Sequence, residues 1–553
     1  MRRKKPEIME VDFQQFQDVA NRAQASLDPE DAELIERVFD SYEYVASLIQ
    51  EKNMSIGRLQ KMLFGAKTEK TEQVVGDHSP ADAEANSGET AKPAEGAGES
   101  ESDEAGADGD GDKKPPPKGH GRNGADAYQG AERIEVPHAS LEPGDACPEC
   151  GAGTVYAKPP GVVVRITGQA PLGATVYQLQ KLRCGLCGKV FTAGLPEEAG
   201  TRKYDAKAGS MIGLLKYGSG LPFNRLQGLQ GNLEIPLPAS TQWDIVFSFA
   251  PGLNPAYQEL IRQAAQGDVL YNDDTAVKIL ALMGERRLKF EDDPDRTGLF
   301  TSGVIATRGG QRMALFFSGH RHAGENLSDV LKHRAAELDA PIQMCDALSR
   351  NMPKALQTIV ANCLAHARRQ FVEVYDCFPE ECRTVLDALK IVYRNDAIAR
   401  REGMTAEERL QLHQAQSEPA MTNLYDWLNR QFDEKLIEPN SSLGGAINYL
   451  LNHWEKLTLF LRKAGAPLDN NICERALKKA IIHRKNSLFF KSQNGARVGD
   501  IYMSLIHSCE LNQANPLDYL TELLRHADEV AADPQRLMPW NYRQTLADLS
   551  RAA

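Results

Sequence analysis

Three separated acids and four paired cysteines are the residues of this chain whose types and spacing could do chemistry. Asp273 and Asp274 close an apolar run in Tyr-Asn-Asp-Asp-Thr, Asp346 follows Ile342-Gln343-Met344-Cys345, and Glu474 lies in Pro467-Leu-Asp-Asn-Asn-Ile-Cys-Glu-Arg. Taken singly, each has a plain reading: a polar strand end for either Asp, and a first-turn Glu serving a helix dipole. Taken together, Asp273, Asp346 and Glu474 are what cutting and joining a phosphodiester requires. That chemistry uses two divalent cations about 3.5–4 Å apart, one at the attacking oxygen and one at the leaving oxygen. Hard cations such as Mg2+ prefer carboxylate oxygens. Glu474 shares a helix face with the apolar Leu477 and Ile481, where an acid is out of place unless a cation meets it.

Cations crowd the same helix. Between 475 and 499 stand Arg475, Lys478, Lys479, Arg484, Lys485, Lys491 and Arg497, with no Asp or Glu among them. A solvated helix face would interleave acids, whereas an unbroken basic run suits a polyanion such as DNA. Cys363-Leu-Ala-His366-Ala-Arg368-Arg369 follows a strand-like run. Its Cys-x-x-His supplies only two local ligands, so His366, Arg368 and Arg369 read as packing or phosphate-binding groups.

Cys147-Pro-Glu-Cys150-Gly and Cys184-Gly-Leu-Cys187-Gly are two knuckles with 33 residues between them. Four thiolates on two tight turns make a closed tetrahedral Zn2+ site, structural because no coordination position is left open. The redox reading of such pairs would want a thioredoxin-like βαβ unit beside one of them, and the sequence offers none.

The elements that must position these groups follow from patterning. VLYND (269–273), LFTSGVIATR (299–308), RMALFFSG (312–319) and PIQMCD (341–346) read as strands, with AGENLSDVLKHRAAE (323–337) as a helix between the last two. This β-β-β-α-β order sets one Asp on the first strand and another at the end of the fourth. Residues 383–464 read as helices without a strand. Residues 205–250 read as short helices, one capped by Ser240 or Thr241 and carrying Trp243, spaced as in a helix-turn-helix unit.

Asp28 and Pro29 suit the start of a helix over 28–64. Its heptad positions hold Ile35, Val38, Tyr42, Val45, Ile49, Lys52, Ile56, Leu59 and Leu63, eight of nine apolar, as a coiled coil wants. A surface helix packed on its own chain is the alternative.

Bulk composition limits the function classes. The net charge of −12 looks wrong for a nucleic-acid binder, yet residues 72–112 hold 13 acids and one Lys. Elsewhere 63 basic residues balance 63 acidic ones, so basic patches remain open to the rest of the chain. Residues 72–126 are too poor in apolar groups to offset chain entropy and are expected to be disordered. No apolar run nears the ~18 residues of a membrane helix, and the basic start lacks the apolar stretch of a secretory signal. A cytoplasmic protein without membrane partners is expected, nucleoid-associated when bound to DNA.

The expected architecture is therefore multidomain. A coiled-coil helix (1–71) leads through an acidic linker (72–126) to a zinc ribbon (127–200) and a helical DNA-binding region (201–262). An α/β core (263–382 and 465–510) follows, interrupted by an all-helical insertion (383–464) and closed by a helical tail (511–553).

From about residue 34 to 545 the chain resembles the transposases of the insertion sequence 66 group. The resemblance rests on LQKMLFGAKTEK (59–70), the two Cys pairs, KYGSGLPFNRLQGLQ (216–230), STQW (240–243), NDDTAVKIL (272–280), MCD (344–346), CLAHARRQF (363–371) and, most specifically, LDNNICERALKKAIIHRKNSLFF (468–490). Two positions depart from the family pattern. Asp274 replaces the usual Glu, which leaves it an alternative first ligand, and Ala347-Leu348 replace Gly-Tyr after the second Asp. The resemblance implies a ribonuclease H-like core with a triad of Asp273, Asp346 and Glu474 holding two Mg2+. It implies recognition of terminal inverted repeats and target DNA, a homodimer or higher assembly, and element-encoded accessory proteins. Two alternatives stay open: a catalytically inactive zinc-ribbon DNA-binding regulator, and a metal-dependent nuclease that cuts without joining.

Overall fold

A computed structural model describes residues 140–146, 148, 153–157, 169–183, 190–284, 296–353 and 357–552. The heptad helix, the acidic linker and the four knuckle cysteines lie outside these residues. The described residues up to 173 form one unit and those from 174 onward another. In the first, an antiparallel bridge joins Ala146 to Thr154, and Val155 N–H donates to Asp145 O at 2.9 Å. In the second unit, β1 (Lys181–Arg183) pairs antiparallel with β2 (Val190–Thr192).

The centre of the larger unit is a mixed five-stranded sheet. Its strands are β3 (Val269–Ala276), β4 (Phe300–Arg308), β5 (Gln311–Gly319), β6 (Ile342–Cys345) and β7 (Ile359–Asn362), in the order β5-β4-β3-β6-β7. The first three form an antiparallel meander, and β6 and β7 run parallel to β3. Gly309 and Gly310 make the two-residue β4–β5 turn with φ of 53° and 86°, a conformation that side chains resist. The strands anticipated from the apolar runs are all present.

Helices α1 (Ala206–Gly213), α2 (Phe223–Asn232) and α3 (Ala239–Ala265) precede the sheet. The cap expected of Ser240 or Thr241 is not found. Pro238 takes the cap position, and Gln227 Oε1 receives the first free amide, Ala239 N–H, at 2.8 Å, leaving Ser240 and Thr241 within the first turn. The helix then continues through Pro251 and Pro255 to Ala265, because Leu253, Ala256, Tyr257, Leu260 and Ala264 are all buried along it. The Tyr257 hydroxyl donates to Phe316 O on β5 at 3.2 Å, so this helix lies on the sheet.

After β5 comes α4 (Ala323–Leu331), and after β7 comes α5 (Leu364–Val374). Helix α4 is shorter than the pattern suggested. Beyond it, Arg334 leaves the helical path and donates to Ala265 O and Gly267 O, both at 2.8 Å, closing the C-terminus of α3. The all-helical stretch is α6 (Pro379–Arg401), α7 (Ala406–Gln416), α8 (Glu418–Asp433), α9 (Ser442–Asn452) and α10 (Trp454–Leu457). Its buried Leu389, Leu424, Leu428, Ile447 and Phe460 share one hydrophobic core with Met344 of β6, Ala361 of β7 and Phe371 of α5. Helices α11 (Asn471–Ser487), α12 (Gln493–Leu511), α13 (Pro516–Arg525), α14 (Ala527–Ala532) and α15 (Tyr542–Ala552) complete the chain. Among the described residues no helix is long and apolar enough to cross a membrane.

Helix α12 solves the problem of the exposed sheet edge. Every second amide of β5 needs an acceptor, and a helix presents one face every four residues. Asp500, Ser504, Ser508 and Asn512 meet that demand in turn. They accept from Ser318 N, Phe316 N, Ala314 N and Arg312 N at 2.8, 2.9, 2.9 and 3.1 Å. Ser318 Oγ also donates to Asp500 at 2.7 Å. Burial pushes the Asp500 carboxyl up to about 8, with the two Ser318 hydrogen bonds pulling the other way.

An acid raised in the fold keeps its proton while the unfolded chain loses it above pH 4. Its contribution therefore falls as pH rises from about 4 to about 8, at up to ~1.4 kcal/mol per pH unit. Asp500→Asn should flatten this slope, giving a urea midpoint at pH 8 closer to its own value at pH 5 than wild type shows. Equal slopes in both proteins would remove Asp500 as the cause.

Candidate active site

Strand β3 carries two adjacent acids, and the pleat sends them to opposite faces. Asp274 goes to the α4 side and is buried there. His322 Nδ1 lies 2.8 Å from its Oδ2, Arg350 Nη2 lies 3.6 Å from its Oδ1, and Ala323 N–H at the start of α4 donates to it at 3.5 Å. Its charge is thus neutralised by protein groups.

Asp273 goes to the other side, where α11 packs. Its antiparallel partner on β4 is Gly303. A Cβ at Gly303 would sit 3.1 Å from Leu477 Cδ2 and 3.4 Å from Cys473 Sγ, so the missing side chain lets the helix close on the sheet. The Cys473 thiol donates to Gly303 O at 3.4 Å, and the next residue is Glu474. Asp346 arrives from the other flank. The parallel ladder pairs Tyr271 with Met344 at its end, and two residues further on stand Asp273, within β3, and Asp346, one residue past the end of β6.

The electrostatics of Asp273 register this crowding. Burial pushes its carboxyl up to about 7; the Asp274 amide, donating at 2.8 Å, pulls it down, and the carboxylates of Asp346, Asp274 and Glu474 push it further up. Asp346 is steadied by Asn351 Nδ2 and by Leu348 N–H at 3.3 Å. Glu474 Oε1 is buried without a hydrogen-bond partner, and His366 Nε2 lies 3.7 Å from it.

The start of α11 is held from several sides. Asn470 donates through Nδ2 to Asn272 O at 3.1 Å and through its amide to Cys363 Sγ at 3.3 Å. Leu364 N–H reaches Leu468 O at 2.9 Å, and Arg409 of α7 reaches Ala466 O at 2.7 Å. Beneath the acids, Gln343 Nε2 donates to Asn272 Oδ1 and Asn351 O, both at 2.8 Å, and Asn272 Nδ2 donates to Asn351 O at 2.8 Å. This buried amide cluster fixes the ends of β3 and β6 and the residue that holds Asp346. Sequence reasoning did not single out Asn272, Gln343 or Asn351. The available signal was a carboxamide set among apolar residues, Asn272 after Val269-Leu270-Tyr271 and Gln343 inside Ile342–Cys345.

The seven cations of 475–499 divide into two groups. Lys479 is tied to Glu510 at 2.8 Å and to Gly218 O at 3.5 Å, while Arg484 is tied to Ala276 O and to Thr275 Oγ1 at 3.3 Å. Arg475, Lys478, Lys485, Lys491 and Arg497 are exposed. Arg368 and Arg369 on α5 are half-buried and engaged within the protein.

A model of the Transposase IS66 family matches residues 203–498, which span the sheet, the helical insertion and α11. Three proteins of Sinorhizobium fredii are similar to the chain. Uncharacterized protein y4hP is 27% identical over 435 residues, covering 75% of this chain and 76% of that protein. Uncharacterized protein y4qI is 26% identical over 351 residues, covering 60% and 61%. Uncharacterized protein y4jD is 28% identical over 312 residues, covering 53% and 57%. The match thus spans less than two thirds of the length of the latter two.

Crowded carboxylates without a cation destabilise the fold that gathers them. Asp273→Asn should raise the melting temperature of metal-free protein in calorimetry. The gain should be largest above about pH 7 and vanish below pH 4, where the acid is protonated folded or unfolded. An unchanged or lowered melting temperature at pH 8 would mean the repulsion is negligible.

Proposed function

The chain belongs to the Transposase IS66 family, enzymes that act on DNA, and from that premise we propose that it cleaves transposon ends and joins them to target DNA with Asp273, Asp346 and Glu474. The observation that carries this reading is the Asp273 carboxyl, held near neutrality by burial and by Asp346 and Glu474 at one sheet edge. The sheet order, with three antiparallel strands followed by two parallel ones, supports a ribonuclease H-like core. Asp273 rather than Asp274 is the first ligand in this reading, because Asp274 already has His322 and Arg350 as partners.

The donor set suits hard divalent cations: three carboxylates of like charge, one with a buried oxygen that no protein group satisfies. When bound, two Mg2+ ions would activate the attacking oxygen and stabilise the leaving one. The chain's own residues do the rest. Asp273 would release its proton to solvent on binding a cation, and the Asn272–Gln343–Asn351 cluster ties β3 to β6 and to the residue that holds Asp346. The exposed Arg475, Lys478, Lys485, Lys491 and Arg497 hold phosphates along α11 and the start of α12, with Lys479, Arg484, Arg368 and Arg369 bracing or extending that surface.

In the first reaction, water attacks the phosphorus at the transposon end; the P–O3′ bond breaks and a 3′-hydroxyl is freed. In the second, that hydroxyl attacks a target phosphorus, and the target's own 3′ oxygen leaves. The 201–262 helices and a zinc ribbon, with one structural Zn2+ on Cys147, Cys150, Cys184 and Cys187, would grip the ends. The heptad helix would pair subunits so that two ends are brought together, with accessory proteins of the element assisting.

A labelled transposon-end duplex with a plasmid target and Mg2+ tests this. Asp273→Ala, Asp346→Ala and Glu474→Ala should each lower cleavage and joining at least ~100-fold while retaining DNA binding. Full activity in any one variant would remove that residue. Cutting without joining would leave a nuclease, and binding without either would leave a regulator.

A further inference from the structure

A second cluster of metal-binding atoms borders the acids and uses one of them. Cys363 at the end of β7, His366 in the first turn of α5 and Glu474 on α11 bring a sulfur, an imidazole nitrogen and a carboxylate oxygen within 4.8 Å of one another. One feature of the cluster is that of an unfilled coordination shell: Glu474 Oε1 is buried with no hydrogen-bond partner. On His366, Nδ1 is likewise buried and unpartnered, while Nε2 is the nitrogen nearer Glu474. Buried polar atoms are normally satisfied. The 3.7 Å gap between His366 Nε2 and Glu474 Oε1 is too long for a hydrogen bond and short enough to be bridged by one ion. The backbone around the cluster is pinned. Cys363 Sγ accepts from Asn470 N–H at 3.3 Å, and Leu364 N–H holds Leu468 O at 2.9 Å, so Cys363 is tied to the backbone that leads into the first turn of α11, where Glu474 stands.

The chemistry of this set differs from that of the three acids. Thiolate, imidazole and carboxylate together select a borderline-soft divalent ion such as Zn2+ and give it three protein ligands with a fourth position open. Mg2+ keeps to oxygen. Glu474 belongs to both sets, and one carboxylate cannot serve both ions in full.

We propose that Cys363, His366 and Glu474 form a thiophilic cation site that takes Zn2+ and, through Glu474, withdraws a ligand from the magnesium-binding triad, so that zinc inhibits the strand chemistry. On binding, the Cys363 thiol releases its proton to water and the metal–sulfur bond forms, with no change of oxidation state. The inhibitory half rests on the function proposed above, whereas the binding half does not.

The full chain, purified without chelator and dialysed against micromolar Zn2+, is assayed for bound zinc by elemental analysis. Cys363→Ser and His366→Gln should each bind one equivalent fewer than wild type, with the four knuckle cysteines present in all three proteins. Cd2+ added to the metal-free chain should give a thiolate charge-transfer band that is weaker in Cys363→Ser. Against each protein's own rate in Mg2+ alone, half-inhibition by Zn2+ should need at least ~10-fold more zinc in both variants. Equal zinc content in wild type and both variants would overturn the site, even if the chain neither cuts nor joins DNA. Loss of one equivalent with unchanged zinc inhibition would keep the site and overturn its competition with the triad. If Cys363→Ser does not fold, the half-exposed His366→Gln decides alone.

Discussion

Close approach of α11 to the sheet at Gly303 is the constraint on which the site depends. Glu474 is remote in sequence from both Asp residues, and a separate helical body lies between. Only a helix lying directly on β4 can bring it beside Asp273, and only a residue without a side chain permits that distance. The Cys473–Gly303 hydrogen bond then fixes the helix rotation, because a turn of one residue either way would carry Glu474 off the Asp273 side. The two Asp residues need no such device, since β3 and β6 are paired as far as Tyr271 and Met344, two residues before each of them.

Among the described residues, Asp273 and Asp500 are acids that burial pushes up to about 7 and about 8, and they differ in what surrounds them. Asp500 meets two hydrogen bonds from Ser318, which satisfy the carboxyl and tie α12 to the sheet edge. Asp273 meets one amide and three further carboxylates. A raised acid whose neighbours donate to it is a structural group. A raised acid whose neighbouring acids repel it has little to stabilise it within the protein, and of the three carboxylates around Asp273 it is Asp274 that His322 and Arg350 pair. That contrast, rather than the size of either shift, is what sets Asp273 apart from Asp500 as a candidate for binding a ligand.

Much of this was legible in the sequence, for a local reason. The strands contain apolar runs, so their positions could be read directly, although β3 continues past Asp273 and Asp274 to Ala276 instead of ending at them, because β4 pairs with it along its whole length. The order of the strands along the chain followed; how they pair did not. What could not be read depends on partners far along the chain. The polar stripe Asp500, Ser504, Ser508 and Asn512 repeats at helical spacing, yet its meaning lies in the amides of β5. Gly303 is an ordinary strand glycine until α11 is placed over it. Lys479 and Arg484 look like their neighbours in the basic run, but distant carbonyls and Glu510 take them up. Ser240 and Thr241 are good capping residues by type, but Pro238 starts the helix ahead of them.

The helical insertion follows from the same constraint. It brings the chain back from β7 and α5 to the sheet, and it holds the returning segment as well as spanning the gap. Its buried Asp396 binds Arg400 and, at 2.6 Å, Arg409, and Arg409 passes the restraint on to Ala466 O ahead of α11. Burial alone would raise the Asp396 carboxyl, but His413, Arg409 and Arg400 outweigh it and hold the group well below the usual carboxylate range. A charge held that firmly stays paired wherever the protein is folded, so the segment from Ala466 to Asn470 keeps its place while Asp273 titrates nearby. The insertion thereby separates two jobs. Its ion pairs set where the helix begins, so that task does not fall on Glu474, whose Oε1 stays buried without a hydrogen-bond partner.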